Sequence, residues 1–469
     1  MGCILKGVKM LFCSYIFVLL FLPLTVAGYF LLNKWNNCAS RCWLLAASLY
    51  FYAYFNVSYL FLLLGSLAVN YSIGYFLWSY RKRWLLILGV TLNLVLLGYC
   101  KYYDFFVANL NALFGTDWVL KNMLLPLGIS FFTFQQISYL SDVFNGELKE
   151  RYSPLTYSLF VTFFPQLVAG PIVLANEMMP QFADKKNCEI NFANLSCGIF
   201  VFSLGLAKKM LLADSFAPIG DALFVMASPG CMDVITGSLA YAFQIYFDFS
   251  GYSDMAIGIG LMFNIMLPVN FLSPYKSLNI QEFWRTWHIT LGRFLVNFIY
   301  FPMGGNRKGK LRTYFNLIFT FFISGLWHGA NWLFVFWGTL NGVAVAIHRL
   351  WSKDLNMKMP KWAAFIVTFL FVWLSQIFVK CRDMGHAFDV FAALGDFSPE
   401  KHALFAEEFS SSEITLFIIG IWIIFFMPAT DFFRRTFKPA LWNLLLSLTL
   451  IVWSILSFNK ISPFIYFNF

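Results

Sequence analysis

Residues 321–338 read FFISGLWHGANWLFVFWG. The stretch holds no Asp, Glu, Lys or Arg, and His328 is its one side chain that ionises near neutral pH. A bilayer-spanning helix needs about 20 mostly apolar residues. The apolar character extends over 313–350, enough for two spans. Similar runs cover 10–32, 43–64, 84–100, 155–174, 195–212, 361–380, 412–428 and 440–458. Weaker ones lie near 58–79, 122–143 and 235–267. Together they predict an all-α, polytopic integral membrane protein with about 11 or 12 spans.

Composition agrees. The chain is 60% hydrophobic and 12% charged, against about 25% charged in soluble domains; its mean hydropathy is +0.69. A water-soluble fold could not hide this much apolar surface, whereas a bilayer accepts it. The net charge of +10 comes in short clusters between apolar runs, such as Arg81-Lys82-Arg83, Lys185-Lys186 and Arg434-Arg435. Such clusters mark cytoplasmic loops and headgroup contacts and do not call for nucleic acid. Nine cysteines are present without a CxxC pair, so no zinc or redox site is expected. The run from Met10 reads as a retained helix, because it is longer than a signal-peptide core. No soluble domain interrupts the spans, and residues 1–469 are read as one transmembrane domain.

One stretch departs from the pattern. Residues 273–312 read SPYKSLNIQEFWRTWHITLGRFLVNFIYFPMGGNRKGKLR. It is too polar for a lipid-facing span and too aromatic for an exposed loop, which suits a surface or re-entrant segment lining a cavity. GGNRKGK (304–310) fits the frame of a phosphate loop, but Leu311 stands where Ser or Thr is needed and no strand precedes it. HExxH and GxSxG are absent.

Five histidines occur. His348, His386 and His402 sit at interfaces or in polar loops. His328 is different: an ionisable group at membrane depth is costly and marks function by default, and neutral imidazole accepts protons near pH 7. The competing reading is a packed histidine bonded to a neighbouring helix. His288 follows Trp284, Arg285 and Trp287; if this turn is helical, Arg285 and His288 share a face. The alternative for His288 is a headgroup anchor. Gln135, Gln136, Asp248 and Asp254 also lie in apolar context, where they line the same cavity or bond helix to helix. The chain ends PFIYFNF, with Tyr466 inside an aromatic tail spanning 459–469.

QEFWRTWHITLGRFLVNFIYFPMGGNRKG (281–309) followed by SGLWHGANWLFVFWGTLNG (324–342) resembles the membrane-bound O-acyltransferase family. The branch it is most similar to is that of bacterial alginate and peptidoglycan O-acetyltransferases. FTFQQISYLSDVFNGE (132–147), FPQLVAGPIV (164–173) and YFDFSGYSDMAIG (246–258) belong to the same resemblance, which runs from Met10 through nearly the whole chain. Family members open much like MLFCSYIFVLLFLPL (10–24), which makes 1–9 a candidate non-native start.

The resemblance implies a helical fold around a tunnel, with His328 of WHG as catalytic histidine and His288 as the second catalytic position. It makes Trp284, Arg285, Trp327, Asn331, Asn306 and Arg307 candidates for lining the cavity or holding the donor. It implies no permanent cofactor or metal, a cytosolic acyl thioester such as acetyl-CoA as donor, and an extracytoplasmic SGNH-type transferase as partner. The acceptor would be a polysaccharide, and the location the bacterial inner membrane. F-x-Y-x-x-F at 464–469 resembles a terminal motif of the related D-alanylation system, which makes Tyr466 a candidate acyl relay. In one respect the chain departs from the pattern: LVNF (295–298) stands where LRDY is common. Two other readings are D-alanyl transfer to teichoic acid on the same scaffold and, from another class, a transporter or flippase. The latter would call for internal repeats and broken helices with ion ligands.

Overall fold

The computed structural model describes residues 10–398, 401, 410–460 and 464–465. Every regular element among them is helical, so the all-α expectation holds. Five helices are long and apolar enough to cross a membrane: Val57–Tyr80, Arg83–Phe114, Phe192–Leu223, Trp332–Asp354 and Lys361–Lys380. Shorter apolar helices are Phe17–Asn33, Ile289–Tyr300, Ser411–Phe426 and Leu441–Leu456. Many of their large apolar side chains are exposed, among them Phe61, Leu92, Val367, Trp422 and Trp453. A bilayer covers such faces without cost. The protein is a multi-pass membrane protein, with fewer full-length spans among the described residues than the 11 or 12 expected.

Two expectations change. The stretch 155–174 is not one span: Pro154–Thr162 ends at Phe163, and a second short helix covers Phe164–Leu167. Pro165 lacks an N–H and its ring opposes the carbonyl one turn back, so the first helix cannot continue through it. The weak window 235–267 is instead one 32-residue helix, Cys231–Met262.

The chain forms two compact units. The first takes Met1–Leu204, Tyr252–Pro268 and Phe437–Phe458. Its interior is aromatic: Phe17, Phe21, Phe51 and Phe164 meet at ring separations of 5.3–6.1 Å. Asn70 and Asn93 exchange amide hydrogen bonds at 2.6 and 3.3 Å, which satisfies both in an apolar setting. Helix Ile129–Asn145 is buried on nearly every face.

The second unit takes Gly205–Gly251, Val269–Thr436 and Asn459–Phe469. At its centre helices Lys310–His328 and Trp332–Arg349 form a hairpin. Small residues let the two backbones close up. A Cβ on Gly338 would lie 2.5 Å from the Phe321 carbonyl oxygen and 2.6 Å from the Gly325 Cα. Gly329 ends the first helix in extended backbone. Asn331 starts the second by accepting from the Phe334 N–H at 2.9 Å, an N-cap. The turn before the hairpin uses Gly304, Gly305 and Gly309 at positive φ. Asn316 anchors it by donating to the Gly305 carbonyl at 2.9 Å.

Candidate active site

The hairpin turn fixes His328. As the last residue of its helix it is buried, with Trp327 at 4.9 Å and Trp337 edge-on at 5.3 Å between ring centroids. The His288 ring lies 6.4 Å away.

His288 comes from the polar-aromatic segment. Asn279 caps helix Ile280–Thr286 by accepting from the Glu282 N–H at 2.8 Å. That helix stops before His288, so Arg285 and His288 do not share one helical face. His288 instead stands at φ +45° between this helix and Ile289–Leu295. The left-handed region costs a side-chain-bearing residue energy, and such residues cluster at functional sites. The surroundings enforce it: Trp287 is buried against Phe271 at 5.1 Å and stacks on Phe283 at 5.5 Å.

A hydrogen bond fixes the ring's tautomer. The Thr290 backbone N–H donates to Asn270 Oδ1 at 3.2 Å, so that atom is the amide oxygen. His288 Nδ1 lies 3.2 Å from the same oxygen and must be the donor. Nε2 therefore presents a lone pair. His288 is 1% exposed and lies outside the candidate spans. Burial, and secondarily the charge of His328, push its pKa well below the usual imidazole range. The ring is neutral at physiological pH.

A cavity of about 460 Å³ opens against His288, with Trp284, Phe321 and Ser324 in its wall. Arg285, Arg293 and Arg349 also line it, which makes it a place for an anion-bearing ligand. A much smaller hollow of about 20 Å³ is lined by His328, Trp337 and Asn341. Trp284 borders both. The indole N–H groups of Trp284 and Trp337 are buried with no hydrogen-bond partner among the described residues.

The structure thus gathers His288, His328, Trp284, Arg285 and Trp327 in one region. Asn331 is a helix cap, and Asn306 and Arg307 are exposed and line neither cavity. Gln135, Gln136 and Asp254 belong to the first unit. Gln136 there accepts from Ser66 at 3.2 Å and Tyr157 at 3.4 Å. Asp248 is in the second unit but lines neither cavity; it pairs with Lys209. Tyr466 and His402 lie outside the described residues. Val296 and Asn297, where the sequence departs from LRDY, border the larger cavity. Asn270, Arg293 and Arg349 escaped the sequence reading. Lys209 did also, although a lysine inside an apolar run was a usable signal.

The site thus holds two buried histidines 6.4 Å apart, one of them, His288, in the wall of an arginine-lined cavity. The match to the model of MBOAT, the membrane-bound O-acyltransferase family, covers residues 73–384, and the chain belongs to that family. It is 45% identical to the peptidoglycan O-acetyltransferase of Helicobacter pylori, over 82% of this chain and 80% of that protein. It is 36% identical to the probable alginate O-acetylase of Pseudomonas aeruginosa, over 91% of this chain and 82% of that one. Similarity to the teichoic acid D-alanyltransferase of Bacillus subtilis is lower, 26% over 56% of this chain and 71% of that one.

Proposed function

We propose that this acyltransferase moves acetyl groups from a cytosolic thioester, acetyl-CoA, to an envelope polysaccharide of the peptidoglycan or alginate kind, in the bacterial inner membrane. The observation that carries the reading is the His288–His328 pair, 6.4 Å between rings, beside a 460 Å³ cavity lined by three arginines. The arginines suit the phosphates of the donor, and the cavity suits its thioester arm. The similarity to O-acetyltransferases exceeds that to D-alanyltransferases, which favours acetyl over D-alanyl.

In this reading His328 is the general base. It takes the proton of the attacking hydroxyl as that oxygen bonds to the thioester carbonyl carbon. The carbon–sulfur bond then breaks, and the leaving sulfur takes the proton from the His328 imidazolium. Two roles are open to a second histidine here, orienting the donor or bonding the oxyanion. A neutral ring with Nδ1–H bound to Asn270 can only accept at Nε2, so His288 orients a donor hydrogen and is no oxyanion donor. The buried indole N–H groups of Trp337 and Trp284 suit that task. Tyr466 is the candidate first acceptor, passing acetyl to an extracytoplasmic SGNH-type partner and on to the glycan.

The test is to delete the gene, complement it with wild type or H328A, and measure ester-linked acetate on purified envelope polysaccharide. Deletion and H328A should both remove the acetate. Normal acetate with a well-expressed H328A chain would end the catalytic assignment. Y466F should abolish transfer, and a normal acetyl level would end the relay.

A further inference from the structure

A buried carboxylate in the second unit holds residues 464 and 465. Phe464 and Ile465 are 3% and 7% exposed. The Ile465 backbone N–H donates to Asp248 Oδ2 at 2.8 Å, across 217 residues of sequence. Asp248, 1% exposed, takes Lys209 Nζ on Oδ1 at 2.8 Å, and Asp214 holds the same ammonium at 2.7 Å. The next residue on this helix, Phe249, meets the Phe464 ring edge-on at 6.1 Å and the His288 ring edge-on at 4.7 Å.

A carboxylate buried this deeply needs a donor on each oxygen. One comes from a lysine of the same unit and the other from the main chain of the tail. A main-chain donor does not depend on the identity of its side chain, so the bond fixes where the backbone runs. The two contacts fall on adjacent residues, one holding the tail's peptide and the other linking its ring to His288.

We propose that Asp248 is a positioning residue that docks the C-terminal segment beside His288, with Lys209 and Asp214 holding its carboxylate in place. Tyr466 follows Ile465 directly in the sequence, so the dock fixes the main chain one residue before that hydroxyl. The docking stands on the contacts alone, while its service to acyl transfer rests on the function proposed above.

Proline at 465 removes the N–H and leaves the ion cluster intact. Full-length I465P and I465V are compared for kcat and KM with acetyl-CoA. The 19F line width of 4-fluorophenylalanine at position 464 reports tail mobility. I465V should match wild type, and I465P should give a narrow line and a kcat lower by about tenfold or more, with KM unchanged. Two triple variants separate docking from charge. K209M/D214N/D248N keeps an acceptor and should hold the tail; K209M/D214N/D248L should behave as I465P, and adding I465P to it should cost nothing more. A broad line and normal kcat in I465P would overturn the proposal, as would additive losses in the combined variant. H328A should keep the broad line while losing transfer. An H328A chain that retains transfer would remove the functional reading and leave the line width to decide the dock.

Discussion

His288 sits at φ +45° and donates from Nδ1 to Asn270, so its reactive nitrogen is set by a residue 18 positions earlier. Replacing Asn270 by Leu removes the acceptor and frees the tautomer. The expected result is a loss of about 10- to 100-fold in turnover with the fold retained, by analogy with lost orienting partners of histidine elsewhere; steady-state kinetics would show it. N270D is expected to act through charge. A carboxylate beside the ring favours the imidazolium, so the acid limb of the pH–rate profile should move upward, by about one unit or more. At the cavity wall, R285Q/R349Q should raise KM for acetyl-CoA and leave kcat largely unchanged, because these side chains suit the donor's phosphates and not the reacting carbon. His328 stood out in the sequence as an ionisable group in an apolar run, and His288 as a histidine among the tryptophans and arginines of the polar-aromatic segment. Asn270 did not, because its role depends on a helix break and a left-handed residue that no periodicity announces.

The hairpin that carries His328 depends on Gly325 and Gly338 meeting without side chains. G338A puts a methyl group 2.5 Å from the Phe321 carbonyl oxygen and 2.6 Å from the Gly325 Cα, so the helices must part. A loss of about 1–3 kcal/mol is expected for overpacking of this kind, together with reduced transfer as His328 shifts. The control is Gly65, in the interior of Val57–Tyr80, where an added Cβ meets nothing within 4 Å. G65A should be neutral or stabilising by up to about 1 kcal/mol. Thermal melting of both variants in detergent distinguishes them. At this scale the sequence read 313–350 as two helices from its length, and the structure sets the break at Gly329 and Asn331. The sequence failed at 155–174, where hydropathy was continuous and Pro165 broke the helix. The weak window 122–143 holds helix Ile129–Asn145, buried on nearly every face, and Gln136 there bonds helix to helix, one of the two readings the sequence allowed.

For the whole molecule, composition sufficed to place the chain in a bilayer, because no water-soluble fold could cover that apolar surface. The described helices keep to this: their exposed faces carry Phe, Leu, Trp and Val, while buried groups such as Asn70 with Asn93 and Lys209 with Asp214 and Asp248 pair inside their own unit. Function at this scale is a matter of compartments, since the proposed donor is cytosolic and the proposed acceptor lies outside. The measurement that tests this most directly uses proteoliposomes of the full-length protein supplied with acetyl-labelled acetyl-CoA and a soluble glycan acceptor with its SGNH-type partner. Wild type should move label to the glycan, and H328A should fall by about a thousandfold or more, as expected for loss of a general base. Label transfer by H328A at the wild-type rate would contradict the account.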